Sequence, residues 1–258
     1  MTPNGYTRLI VIAGYPTGHI KGFSEYETAL AARGANALYL SMQVSPANFR
    51  ACLDGLRHVE NLGGLVLTIP HKVSAFQVAT SRDETVERAG SANLLRPTRA
   101  GWQATNVDGP GFINAARSAG MGIAGQTVQL LGAGGAGRAV AMAIAAERPT
   151  ALAVHDAEPA RAEALVADLR STFPQLASGI GLAPSTFLVN CTPAGMGHDS
   201  SLPCDVALIP ANGTVFDIVN RADTPLLVAA RARGCRTEHG YAMMMAEVPL
   251  ILDWLLGA

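Results

Sequence analysis

Hydrophobic positions along the chain fall into short apolar runs alternating with longer stretches at helical spacing. Residues 8–13 form a β-rich run that ends in the turn Gly14-Tyr15-Pro16. Helix formers fill 24–33 and stop at Gly34, and residues 37–40 read as the next strand. Residues 48–58 read as a helix, and 64–68 as a third strand closed by Ile69-Pro70. This β-α-β-α-β rhythm predicts a parallel sheet covered by helices.

A second unit of the same kind begins near Asp108. Residues 109–119 look helical, 126–131 form a strand that runs into a glycine-rich turn, and 138–146 return to helix. Strands are expected at 151–154, 187–190 and 214–217, with a weaker one near Ile180. The tail 241–256 reads as a long apolar helix. No fixed-period repeat or low-complexity segment interrupts the chain, and no Pro/Ser-rich linker marks the boundary, which is placed where the second rhythm starts.

Composition narrows the function classes. A length of 258 residues allows one large domain or two modest ones, and 49% hydrophobic against 15% charged residues argues against disorder. The net charge of −1, without a basic cluster, predicts neither nucleic acid nor a membrane surface as partner. Cys52, Cys191, Cys204 and Cys235 lack CxxC spacing, and no His or Cys pair falls at ligand spacing, so free thiols and no metal are expected. The N-terminus has no signal-peptide pattern and the run at 9–13 is too short to span a bilayer, so a soluble, cytoplasmic protein is expected.

The sharpest chemical signal is Gly132-Ala133-Gly134-Gly135-Ala136-Gly137, a G-x-G-x-x-G directly after a strand and before a helix. The first glycine permits the tight turn, the second lets the backbone approach a pyrophosphate, and the third allows close helix–strand packing. The helix start adds N–H groups and partial positive charge. The next strand ends at Asp156, where an acceptor for a ribose hydroxyl belongs. Ala157 and Glu158 offer no cation for a 2′-phosphate, so NAD is expected in preference to NADP. The bland reading of Asp156 is a cap for the helix around Pro159-Ala160-Arg161.

Thr68-Ile69-Pro70-His71-Lys72, Gly90-Ser91-Ala92-Asn93, Thr105-Asn106-Val107-Asp108-Gly109, the glycine turn and Asn190-Cys191-Thr192-Pro193-Ala194-Gly195-Met196 occur in this order. With Gly14-Tyr15-Pro16, His19 and the closing Gly240-Tyr241-Ala242-Met243-Met244, the chain resembles the shikimate/quinate dehydrogenase family over nearly its whole length. The resemblance implies hydride transfer between a ring hydroxyl and a nicotinamide, in aromatic amino acid biosynthesis. It implies Lys72 and Asp108 as the catalytic pair. A lysine can pass the hydroxyl proton, and a carboxylate can hold ammonium and hydroxyl in line. It implies Thr68 and Asn93 as substrate contacts, and Gly132, Gly134, Gly135, Ala136, Gly137, Asp156, Asn190, Thr192, Met196, Ile218 and Gly240 as cofactor contacts. His71 reads as structural. Without the motifs, Lys72 and Asp108 would read as a surface lysine and a loop aspartate, and Asn93 as a turn residue.

The expected architecture is α/β: two α/β domains, the second a Rossmann-like dinucleotide-binding domain, with a cleft between them. Residues 1–105, joined by the C-terminal helix 240–258, form the substrate-binding and catalytic domain, and 106–239 the NAD(P)-binding domain. A small-molecule substrate and a monomer or homodimer are expected.

Three departures bear on substrate. Where the family has two carboxylate-binding serines after His19, this chain has Ile20 and Gly22, a loss of roughly 3–6 kcal/mol at hydrogen bonds to a charged group. Lys21 could replace them or be a solvated surface lysine. Glu247 stands where a substrate-binding glutamine is expected, and an ionised carboxylate suits a donor-rich or cationic ligand. The loop Asn220-Arg221-Ala222 is short and lacks the family's tyrosine. Two alternatives therefore stay open: the same machinery on a non-carboxylate or amino-bearing substrate, and a nucleotide-binding sensor without turnover.

Overall fold

The computed structural model describes residues 2–18 and 20–257. Its contacts divide the chain into two units, Met1–Val107 with Glu247–Ala258, and Asp108–Ala246.

The first unit is built on a six-stranded sheet. Its strands are β1 (Arg8–Gly14), β2 (Ala37–Gln43), β3 (Leu62–Leu67), β4 (Ser81–Arg82), β5 (Leu94–Thr98) and β6 (Gly101–Thr105), in the order β2-β1-β3-β5-β6-β4. β1 pairs parallel with β2 and β3, as the opening rhythm predicts. The sheet is nevertheless mixed: β5 runs antiparallel to both β3 and β6. The wholly parallel expectation fails because β5 and β6 are joined by a tight turn, closed by Thr98 Oγ1 on the Gly101 carbonyl at 3.0 Å, and such a connection reverses the chain.

Alternation along β1 assigns the two faces. Val11 and Ala13 pack with Phe49 and Leu53 of α2 (Phe49–Leu56), Ala75 of α3 (Lys72–Val78) and Val86 of α4 (Glu84–Ala89). Ile10 and Ile12 pack with Tyr26 and Leu30 of α1 (Phe23–Ala32) and with Ile251, Leu252 and Leu255 of α9 (Gly240–Leu256).

The second unit carries β7 (Thr127–Leu131), β8 (Ala151–His155), β9 (Ala177–Ile180), β10 (Phe187–Asn190), β11 (Thr214–Asp217) and β12 (Arg236–His239), in the order β12-β11-β10-β7-β8-β9. All five pairings are parallel. Val128, Leu130, Leu152, Val154 and Phe187 bury one face against α5 (Asp108–Ser118), α6 (Gly135–Ala146) and α7 (Pro159–Thr172). Leu131, Leu188 and Val215 bury the other against Leu226 and Leu227 of α8 (Pro225–Ala232). Each such aliphatic side chain contributes about 1.5–3 kcal/mol on burial. The chain winds outward from β7 to β9, then returns to place β10 on the other side of β7. The strand order therefore reverses between β7 and β10, where open α/β sheets bind ligands at the carboxyl ends of their strands.

Candidate functional site

The glycine turn stands at that reversal point, between the end of β7 and the start of α6. Gly132 has φ +93°, and a side chain there would meet the Cys191–Thr192 backbone at 2.8–2.9 Å. A Cβ on Gly137 would lie 1.9 Å from the Gly132 carbonyl oxygen. Gly134 differs: its φ of −74° suits any residue, and among the described residues nothing beyond its chain neighbours lies within 4 Å of a Cβ built there. Two glycines thus close the turn onto the protein, and the middle one leaves the backbone facing open space. Gly134 is the N-cap of α6 and brings no side-chain cap, so Gly135, Ala136 and Gly137 start the helix with backbone N–H groups suited to a phosphate.

Asp156, at the end of β8, braces the turn. Its Oδ2 accepts from the Ala133 N–H at 2.7 Å and its Oδ1 from the Glu158 N–H at 2.8 Å. The Gly132 N–H also donates to the His155 carbonyl, at 2.7 Å.

A buried polar chain runs across the ends of β10 and β11. Asn190 Nδ2 donates to Asp217 Oδ1 at 2.9 Å, and Asn190 Oδ1 accepts from the Thr192 N–H at 3.0 Å and hydroxyl at 2.7 Å. Thr192 Oγ1 in turn accepts from the Ala194 N–H at 3.2 Å. Asp217 also accepts from the Val219 N–H at 3.1 Å and from the Thr224 hydroxyl at 2.6 Å. Thr224 caps α8 through the Leu227 N–H at 3.3 Å. Burial pushes the Asp217 carboxyl up, against the opposing pull of these donors and of His239. Beyond Asn190, Arg221 donates to the carbonyls of Gly195, Gly197 and Asp199 at 3.3–3.4 Å and clips the loop that carries Met196. Gly240 closes the group: a Cβ there would sit 2.1 Å from the Ile218 carbonyl oxygen.

In the first unit, backbone bonds gather Thr68, Lys72 and Asn93 around the carboxyl end of β3. The Thr68 N–H donates to the Ala13 carbonyl at 3.0 Å, the Ala92 N–H to the Lys72 carbonyl at 2.9 Å, and the Leu67 N–H to the Asn93 carbonyl at 2.7 Å. The Asn93 side-chain oxygen accepts from the Val107 N–H at 2.9 Å. Lys72 is half-buried and opens α3. The preceding His71 is buried, stacked on Phe49 at 4.2 Å and bonded to the Val44 carbonyl at 2.8 Å. Asp108, 2% exposed, opens α5 of the second unit.

Of the departing positions, Ile20 lies on the Thr68 side of β1. Gly14 lacks the Cβ that would collide with the Thr68 methyl at 2.6 Å, and Ile20 Cδ1 lies 3.9 Å from the same point. Gly22 is the N-cap of α1 at φ 91°, a left-handed conformation that strains any other residue. Lys21 is exposed. His19 lies outside the described residues. Glu247 has a buried Oε1 and lies beside Tyr26 and Tyr39, which stack at 3.8 Å. Burial, with the Glu247 charge among the lesser causes, pushes both phenols up.

Sequence reading missed Asp217 and Thr224, whose partners lie distant in the chain. Only Thr224-Pro225 before an apolar run carried a local signal, that of a helix cap.

Residues 12–95 match the family described as Shikimate dehydrogenase substrate binding domain. The chain is 35% identical to the shikimate dehydrogenase (NADP(+)) of Acidiphilium cryptum, over 98% of this chain and 92% of that one. It is 34% identical to the enzyme of the same name from Symbiobacterium thermophilum, over 99% and 91%. Among solved structures, a shikimate dehydrogenase in complex with NADP+ superposes with a TM-score of 0.88 at 21% identity, covering 100% of this chain and 92% of that one. A ligand-free 5-ketofructose reductase of Gluconobacter superposes at 0.84 and 22% identity, covering 99% and 95%.

The relatives named for NADP(+) overturn the expectation that NAD is preferred. The physical reason lies at the end of β8. Asp156, the expected acceptor for a ribose hydroxyl, already accepts backbone N–H groups at both oxygens. Arg161, on the first turn of α7, brings a cation to the same strand end, paired with Glu158 at 2.7 Å.

Proposed function

Because the chain belongs to the shikimate dehydrogenase family, we propose that this oxidoreductase uses NADP to interconvert a ring hydroxyl and the matching ketone, with Lys72 and Asp108 handling the proton. The observation that carries the reading is the turn at 132–137, closed at Gly132 and Gly137 and open at Gly134, set where the strand order reverses. A pyrophosphate fits that opening, held by the first N–H groups of α6. Asn190, Thr192, Met196, Ile218 and Gly240 flank the nicotinamide side. NADP, when bound, supplies the hydride acceptor.

The remaining chemistry falls to side chains. Thr68 and Asn93 orient the substrate hydroxyls. Lys72 takes the proton of the reacting hydroxyl during oxidation and returns it during reduction, and Asp108 orients the ammonium. Four free cysteines fit a cytoplasmic setting that keeps thiols reduced.

A second reading concerns substrate alone. Ile20, Gly22 and Glu247 favour a ring or keto sugar that has no carboxylate. A fold shared with a protein named for 5-ketofructose is indifferent to that choice. The test is a panel of shikimate and carboxylate-free polyols with NADP and NAD, followed by absorbance of the reduced nicotinamide. Turnover with NADP, faster than with NAD, is expected. Absence of turnover on every alicyclic or sugar alcohol tried would leave only the sensor.

A further inference from the structure

Asp217 is a buried carboxylate that the proton-transfer chemistry does not use, at 0% exposure and with three donors aimed at it. A carboxylate is costly to bury, and removing one leaves the buried donors aimed at it unpaired. Here the dependents lie on different elements. Asn190 ends β10, Val219 lies in the loop after β11, and Thr224 caps α8.

We propose that Asp217 is a positioning residue for cofactor binding, fixing the loop of Asn190, Thr192 and Met196 against the loop of Ile218 and Val219. The inference rests on the reading of these loops as the nicotinamide side.

The argument is one of hydrogen-bond polarity. Asp217 accepts only, so Asn190 must turn its amide NH2 toward it. That leaves Asn190 Oδ1 facing the Thr192 N–H and hydroxyl, which fixes the Thr192 side chain, and Thr192 Oγ1 then receives the Ala194 N–H. A single anionic end thus sets the direction of every bond from β11 to the Pro193-Ala194 turn. On the other side, Oδ2 takes, among the described residues, only the Thr224 hydroxyl, a contact that serves the α8 cap. The two oxygens separate the roles: Oδ1 orders the loops and Oδ2 secures a helix.

The experiment compares Asp217→Ala, Asp217→Asn and Thr224→Val. It measures NADPH dissociation by fluorescence titration, thermal unfolding, and KM for NADP against kcat. Asp217→Ala should raise the NADPH Kd about tenfold to a hundredfold, the span of hydrogen bonds to a charged group. Its kcat at saturating NADP should stay within about twofold, the pattern of a lost binding contribution. Asp217→Asn should fall between it and wild type, because an amide oxygen still accepts but without the charge. Thr224→Val should lower Tm and leave Kd unchanged. An Asp217→Ala protein that folds and binds NADPH like wild type overturns the inference, as does a Thr224→Val that weakens binding equally. Should Asp217→Ala fail to fold, Asp217→Asn read against Thr224→Val decides, and equal Kd values overturn it. Wild-type protein that binds no NADPH overturns the cofactor reading itself, and the inference with it.

Discussion

Adding one methyl group to the glycine turn should have opposite consequences at Gly137 and Gly134. At Gly137 the new Cβ would lie 1.9 Å from the Gly132 carbonyl oxygen, where an ordinary C···O contact needs about 3.3 Å. The turn must therefore move by about 1.4 Å relative to α6. That displacement breaks the bond from the Gly132 N–H to the His155 carbonyl and the one from the Ala133 N–H to Asp156, both 2.7 Å. A neutral bond and one to a charged group together hold about 2–4 kcal/mol. At about 2–4 °C per kcal/mol for a chain of this size, Gly137→Ala should lower Tm by roughly 4–16 °C. At Gly134 no such collision occurs, and with φ −74° alanine is unstrained. Gly134→Ala should leave Tm unchanged or slightly raised, by about 0.4–1 kcal/mol of unfolded-state entropy. Its methyl nevertheless enters the space through which a pyrophosphate reaches the backbone, so the NADPH Kd should rise at least about tenfold. Thermal unfolding and NADPH titration on the two variants give the four numbers required. A Gly134→Ala protein with wild-type Tm and wild-type NADPH affinity would refute the cradle.

Lys72→Ala should lower kcat by about 10²–10⁴ and leave NADPH affinity intact; near-normal kcat with a raised KM would make Lys72 a binding residue. Ile20→Ser should raise kcat/KM for shikimate more than for a carboxylate-free analogue, and equal gains on both would remove the carboxylate argument. Burial pushes the His71 imidazole below its usual 6.5, so the folded state holds the neutral ring. Its contribution to stability is full above that pH and lost as pH falls through the depressed folded value. His71→Gln should flatten the acid limb of a Tm-versus-pH curve, and an unchanged limb would count against this ring as the titrating group.

The strands with dense β-branched and aliphatic runs were legible in the chain: 8–13, 126–131, 151–154, 187–190 and 214–217 all fall on observed strands. Those built from polar residues were not. β12 reads Arg-Thr-Glu-His, and the hairpin of β5 and β6 carries Arg96, Pro97 and Gln103. Pairing partners, and not composition, make these segments strands. α6 starts at Gly135, three residues before the helix formers at Arg138, because tertiary packing at Gly137 outweighs the low helix propensity of glycine. The glycine turn was readable because its geometry is local. The cofactor preference was not legible: the Glu158 N–H bond to Asp156 is the helix-cap contact the sequence allows, but nothing in sequence shows that the Ala133 N–H takes its other oxygen. The Asn190–Asp217–Thr224 chain joins ordinary residue types across 27 and 7 positions, and only the fold brings them together.

Gly22 carries a consequence for the history of this sequence. Restoring a serine there is a small chemical change, yet at φ 91° it meets a backbone cost of roughly 1–2 kcal/mol before any hydrogen bond forms. Ile20 faces no such barrier from a left-handed backbone. The two positions are therefore unequal under selection. A lineage could recover a hydroxyl at 20 by point substitution, whereas at 22 it would first have to rebuild the entry to α1. Loss of a hydroxyl at 22 is therefore a step easier to take than to retrace.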